Sequence, residues 1–133
     1  RLKGLYILLS GLFKGFYFNS IPTINKIKGI KISRRVVVQN KCTLSIVEDG
    51  EIHINEGVRL GAENIISAKS KIVLHKNVLT AARVFIADHN HEISNDLIPI
   101  MFQGSSEPRK VEIGEGTWIG VNVSVKDTRH FNK

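Results

Sequence analysis

The sequence predicts an all-β chain wound as a parallel β-helix, and three observations predict it. Aliphatic residues return at every sixth place, at Ile54, Leu60, Ile66, Ile72, Val78 and Val84. After an interruption the spacing resumes at Ile113, Ile119 and Val125. A helix repeats near 3.6 and a plain strand at 2, so neither accounts for six. A chain that makes a short strand, turns a corner and makes the next short strand does. Each coil of such a chain buries its apolar side only by stacking on its neighbour.

The 133 residues suffice for one domain, with an N-terminal helix over 1–20 and the repeat domain over 21–133. Lys and Arg number 19 against 12 Asp and Glu, a net charge of +7, with much of the excess before Lys41. Such a surface suits nucleic acid, an anionic membrane or a phosphate-bearing ligand. No arginine-rich tract or nucleic-acid motif accompanies it, so nucleic acid is not expected as a partner. The single cysteine, Cys42, has no partner for an internal disulfide, in keeping with a reducing compartment.

Leu2 to Phe18 is apolar but broken by Lys3 and Lys14 and weakened by Gly11 and Gly15. Leu5, Leu8, Leu9, Leu12 and Phe16 keep helical spacing, which gives an amphipathic helix ending at Ile21-Pro22. Such a helix either covers the first coil, packs on a neighbouring subunit, or lies on a membrane surface. The localisation expected is cytoplasmic, with peripheral inner-membrane contact under the last option.

Ile30, Val36 and Cys42 stand on the same ladder, which makes Cys42 a small buried apolar residue. Glu48 breaks the register beside Asp49-Gly50, a turn signal, and is expected at a corner facing solvent. From Ile54 the hexapeptides INEGVR, LGAENI, ISAKSK, IVLHKN and VLTAAR follow one another. Their fifth places, Val58, Asn64, Ser70, Lys76 and Ala82, are mostly small, as a tight corner needs. His53 and His75 fall off the ladder and are expected to face solvent. The ladder is lost in a long loop over 88–110, whose root carries two His, an Asp and Asn. Insertions in repeat folds are thrown off one face, often the functional one. VEIGEGTWIGVNVSV restores the coil.

The hexapeptides, the DHNH of Asp88 to His91, Gln103-Gly104 and the IGEGTWIG of Ile113 to Gly120 together resemble one family. It is the left-handed β-helix acetyltransferases, particularly those that O-acetylate sugars of capsule, O-antigen and exopolysaccharide. The resemblance runs from about Ile30 to Val125. It supplies the left hand; spacing does not, and the usual crossover rule favours the right. It also implies acetyl-CoA as co-substrate, a sugar or polysaccharide precursor as acceptor, a homotrimer with sites between subunits, and no metal.

Acetyl transfer from a thioester to a hydroxyl needs a base near neutral pH, a donor for the oxyanion, and a held thioester. The resemblance points to His91 as the base, with His89 two residues away as the second choice. The same resemblance implies that Trp118 would lie beside the acetyl group and that the backbone N–H of Val121, after Gly120, would face the thioester carbonyl. Asp88 either orients an imidazole, touches the acceptor, or is a turn residue. Family members often hold the acceptor with an Asn one coil before the base; here that place is near Gly61, and Asn64 is the nearest Asn. The resembling enzymes continue for two or more coils with runs such as PGVTIG, absent after Val125, so the C-terminal end looks truncated. Arg129, His130 and Lys133 stand where phosphate contacts would be sought. A non-catalytic or degenerate trimeric scaffold is the first alternative. A metal-dependent, carbonic-anhydrase-like hydratase is the second; its three His ligands would have to meet across subunits.

Overall fold

The computed structural model describes Gly15 and residues 17–127. The chain is an all-β parallel solenoid of three faces, one short strand per face per coil. The first coil is β1 (Tyr17–Phe18), β2 (Thr23–Ile24) and β3 (Ile30–Ile32). The second is β4 (Val37–Val38), β5 (Thr43–Ile46) and β6 (Glu51–Ile54). The third is β7 (Arg59–Leu60), β8 (Ile65–Ala68) and β9 (Lys71–Leu74). The fourth is β10 (Leu79–Thr80), β11 (Phe85–Ala87) and, after the loop, β12 (Val111–Ile113). β13 (Trp118–Ile119) and β14 (Ser124–Lys126) begin a fifth. Face one is β1-β4-β7-β10-β13, face two β2-β5-β8-β11-β14 and face three β3-β6-β9-β12. All strand pairs are parallel.

From Ile54 to Val84 the expected ladder is buried: Ile54, Leu60, Ile66, Ile72, Val78 and Val84 are at most 1% exposed and belong to one core, against which the ladder's outer members Ile30 and Val125 pack half-buried. They do not form one column. Ile54 pairs with Leu74, Leu60 follows Val38, and Ile66 pairs with Ile86. The register between the third and fourth coils advances 20 residues (Ile66 to Ile86), not 18 as three hexapeptides would give. Face two is the cause. It contributes three inward side chains per coil, such as Asn64, Ile66 and Ala68, where face three contributes two, such as Ile72 and Leu74. The second coil is longer again, 22 residues from Val38 to Leu60, because it spends 47–50 on the corner that the third coil rounds with 69–70. Sixfold spacing persists because each advance is even and the inward places keep even numbers as far as Asp88.

The corners are stacks of left-handed residues. Gly15, Arg35, Gly57, Asn77 and Gly116 form one such stack, each with φ between 57 and 74°. Lys41, Glu63, Arg83 and Asn122 form a second. These places fall one residue to either side of the fifth hexapeptide position that the sequence suggests. Glu48 has a φ of 52° and is exposed at a corner, as its break in register implies. Cys42 is fully buried, and burial pushes its thiol pKa up, which keeps it a neutral core residue.

Residues 1–14 and 16, which carry most of the expected N-terminal helix, lie outside the described residues. Tyr17–Phe18, inside the span assigned to that helix, form a strand instead: Phe18 is 6% exposed and joins the core. Arg129, His130 and Lys133 also lie outside the described residues. Among those described, no helix is long and apolar enough to cross a membrane.

Candidate active site

Residues 88–110 leave the fourth coil at the corner between faces two and three. In the second coil the Val47 N–H at this corner donates to the Ala68 carbonyl of the next coil, 2.8 Å away. One coil on, the chain has departed, and the Lys69 and Ser70 N–H groups would lose their acceptors. Asp88 replaces them with its side chain. Oδ1 accepts from Lys69 N–H and Oδ2 from Ser70 N–H, each at 2.7 Å. Asp88 is fully buried, and these donors satisfy it.

The same carboxylate holds His89. Its Nδ1 lies 2.9 Å from Asp88 Oδ1. An ionised carboxylate only accepts, so Nδ1 carries the proton of that bond and Nε2 presents its lone pair in the neutral ring. The His89 side chain is 20% exposed, so the ring is held yet reachable. His91 stands two residues along, exposed, where its backbone bridges to Ser105. Glu92 N–H to Gly104 and Ser106 N–H to Asn90 complete an antiparallel root, and Asn90 Nδ2 donates to the Asp127 carbonyl at 2.6 Å. Lys69 Nζ bonds Ser105 Oγ and ties the root to the third coil. The far part of this arm is knitted by Gln103, which accepts from Asn95 N–H and donates to the Asn95 and Ile98 carbonyls. It carries Leu97 and, on a turn of 3-10 helix at Ile100–Phe102, Met101 and Phe102, each more than 70% exposed.

The remaining expected site residues lie elsewhere on the prism. Trp118 is outward on face one beside Leu79 and is 72% exposed. Gly120 and Val121 occupy the corner between faces one and two in the fifth coil. The width of face two, with β14, separates them from His89 within one chain. Nothing blocks approach to Gly120, where a Cβ would meet only Val123 Cγ2 at 4.0 Å. Asn64 is 1% exposed and turned into its corner. Its Nδ2 donates to the Ala81 carbonyl at 2.8 Å and its Oδ1 accepts from the Thr80 hydroxyl, which itself accepts from Gly61 N–H at 3.0 Å. The expectation that Asn64 holds the acceptor therefore meets a side chain already used inside the fold. Thr80 escaped the sequence reading because a polar residue at an inward place has no pattern of its own.

His53 and His75 both lie on face three. His75 Nε2 sits 3.1 Å from Glu112 and is partly exposed. His53, expected to face solvent, has a side chain only 18% exposed, with Nε2 2.7 Å from Glu51 Oε2. That approach is close but poorly aligned for a hydrogen bond, and the nitrogen is otherwise unpartnered. Burial, then Lys71, holds its pKa below the ordinary value, against the pull of Glu51. No group of three or more His, Cys, Asp or Glu among the described residues is placed to hold a metal.

The chain is 30% identical over 128 residues to a probable acetyltransferase of Mycobacterium tuberculosis (strain ATCC 25618 / H37Rv). Fold and relative together are consistent with the hexapeptide-repeat acetyltransferase family. The match takes in 94% of this chain, which spans 41% of the relative's length. No family model matches the chain, and no solved structure matches it.

Proposed function

We propose that the protein transfers an acetyl group from acetyl-CoA to a hydroxyl of a bacterial surface-polysaccharide sugar, with His89 as the general base. The supporting observation is the 2.9 Å pairing of His89 Nδ1 with buried Asp88. A base must be oriented as well as basic. Between the two candidates, His89 has a carboxylate that fixes its tautomer. His91 is exposed and has no such carboxylate partner among the described residues.

In this reading His89 Nε2 takes the proton of the acceptor hydroxyl while that oxygen bonds to the thioester carbonyl carbon. The tetrahedral intermediate places its oxyanion against the Val121 N–H. The C–S bond then breaks, and the imidazolium returns its proton to the departing sulfur as coenzyme A thiol. Trp118 and Gly120 line the acyl-donor side. Since His89 and Val121 occupy different corners of one chain, the reading joins them across subunits of a homotrimer of left-handed β-helices. The exposed Leu97, Met101 and Phe102 of the arm suit burial against a neighbour.

The test is single-turnover acetyl transfer with His89→Gln, His91→Gln and Asp88→Asn. His89→Gln is expected to lower kcat by about 10²- to 10⁴-fold, with a smaller loss in Asp88→Asn and near-normal kcat in His91→Gln. Full activity in His89→Gln would remove it as base, and loss confined to His91→Gln would transfer the role there.

A further inference from the structure

Of the 19 Lys and Arg, nine precede Glu48, and none of the 12 Asp and Glu does. The remaining ten basic residues face all twelve acidic ones. In most folds such a bias along the sequence is scrambled by packing. In a solenoid, sequence position is axial position, so it becomes a bias along the prism axis. Among the described residues the first coil, with its closing corner, carries Lys26, Lys28, Lys31, Arg34 and Arg35 and no acidic residue, and the coils beyond it, with nine basic residues against twelve acidic ones, are slightly acidic.

The cations of the basic end are spread over every corner. Lys26 and Lys28 stand where face two meets face three, Arg34 and Arg35 where face three meets face one, and Lys41 where face one meets face two. Lys31 lies on face three between the first two groups. Acidic groups of the second coil answer some of them: Lys26 is 3.7 Å from Asp49, and Arg34 and Arg35 reach Glu56. Lys28, Lys31 and Lys41 are exposed. Tyr17 and Ile21 of the same coil are 59% and 45% exposed. The sequence ahead of them, Leu2 to Phe16, is apolar and aromatic with Lys3 and Lys14 as its charged residues.

We propose that the first-coil end of the solenoid docks on an anionic phospholipid surface, with the prism axis standing away from the membrane. Cations arranged around an axis meet a plane all at once. A linear polyanion lying along one corner would meet only a third of them. Aromatic and aliphatic groups at the same level suit the headgroup boundary. The opposite sign of the two ends orients the molecule, lifting the His89 corner three coils away from the surface, on the order of 15 Å. The proposal is independent of the acetyl-transfer reading.

The experiment is co-sedimentation of the full chain with vesicles of phosphatidylcholine alone, or with about one third phosphatidylglycerol. Binding is expected only to the mixed vesicles and should vanish at about 0.5 M salt. Each basic residue near such a surface contributes about fivefold, so K28Q/K31Q/K41Q together should weaken binding about a hundredfold. R83Q/K110Q/K126Q removes the same charge from later coils and should leave binding nearly unchanged. Equal binding to both vesicles, equal weakening by both triple variants, or unweakened binding by the first overturns the proposal. So does tight binding to a DNA duplex with none to the mixed vesicles. Circular dichroism and thermal melting of each variant confirm that the fold is intact.

Discussion

Asn64 and Thr80 show how a polar pair can belong to an apolar interior. The Asn64 amide spans its corner to the Ala81 carbonyl, and the Thr80 hydroxyl links it back to Gly61 N–H. Asn64→Ala strands buried groups and should cost about 1–3 kcal/mol in urea unfolding. Asn64→Leu should not recover it, since the loss is of partners and not of volume. His53 gives a pH signature. Its folded pKa lies below the ordinary 6.5, so folding favours the neutral ring. That contribution is complete above pH 6.5 and is lost as pH falls through the depressed folded value. The thermal midpoint should decline on acidification from neutral pH to about pH 5, and His53→Gln should flatten that decline. Neither role was legible in the sequence. Both depend on which face a polar residue takes, and the sixfold ladder names only the apolar ones. Asp88 and His89 were legible as a motif, but their division of labour was not. That Asp88 replaces two lost backbone acceptors follows from where the chain departs, which no local pattern records.

The strands are short and the corners carry the specification. Gly57 sits in the left-handed stack with φ 74°, and a Cβ there would come 2.2 Å from Asn77 Oδ1. Gly57→Val should therefore destabilise by about 2 kcal/mol or more, from backbone strain and a displaced Asn77 together. Asn77, itself at φ 59°, holds the same place one coil on, and Asn77→Gly should be near neutral or stabilising in the same unfolding assay. Coil existence was readable because most inward places are aliphatic, with Asn64, Thr80 and Asp88 as polar exceptions. Coil length was not: a ladder of sixes survives any even advance, and only the third inward side chain of face two reveals the advance of 20 from Ile66 to Ile86. The span read as helix at the N-terminus met the same ambiguity. Tyr17 and Phe18 suit a helical face and a strand equally, and pairing with Val37 and Val38 decides it.

For the whole molecule, the proposed trimer makes the sharpest claim. Sedimentation equilibrium should return three times the 14.9 kDa chain mass, and dilution below the dissociation range should abolish transfer as the trimer is lost. A fully active monomer would exclude sites shared between subunits. Trp118 pairs with Leu79, Ser124 with Phe85 and Val111 with Ile72, each across 39 residues, so the ladder beyond the arm closes as if the arm were not there. The arm is thus a cassette plugged in at Asp88 and Lys110. Its length and chemistry are free to vary without a single strand changing neighbours. Exchanging the cassette between relatives is a route by which one scaffold acquires a new clientele.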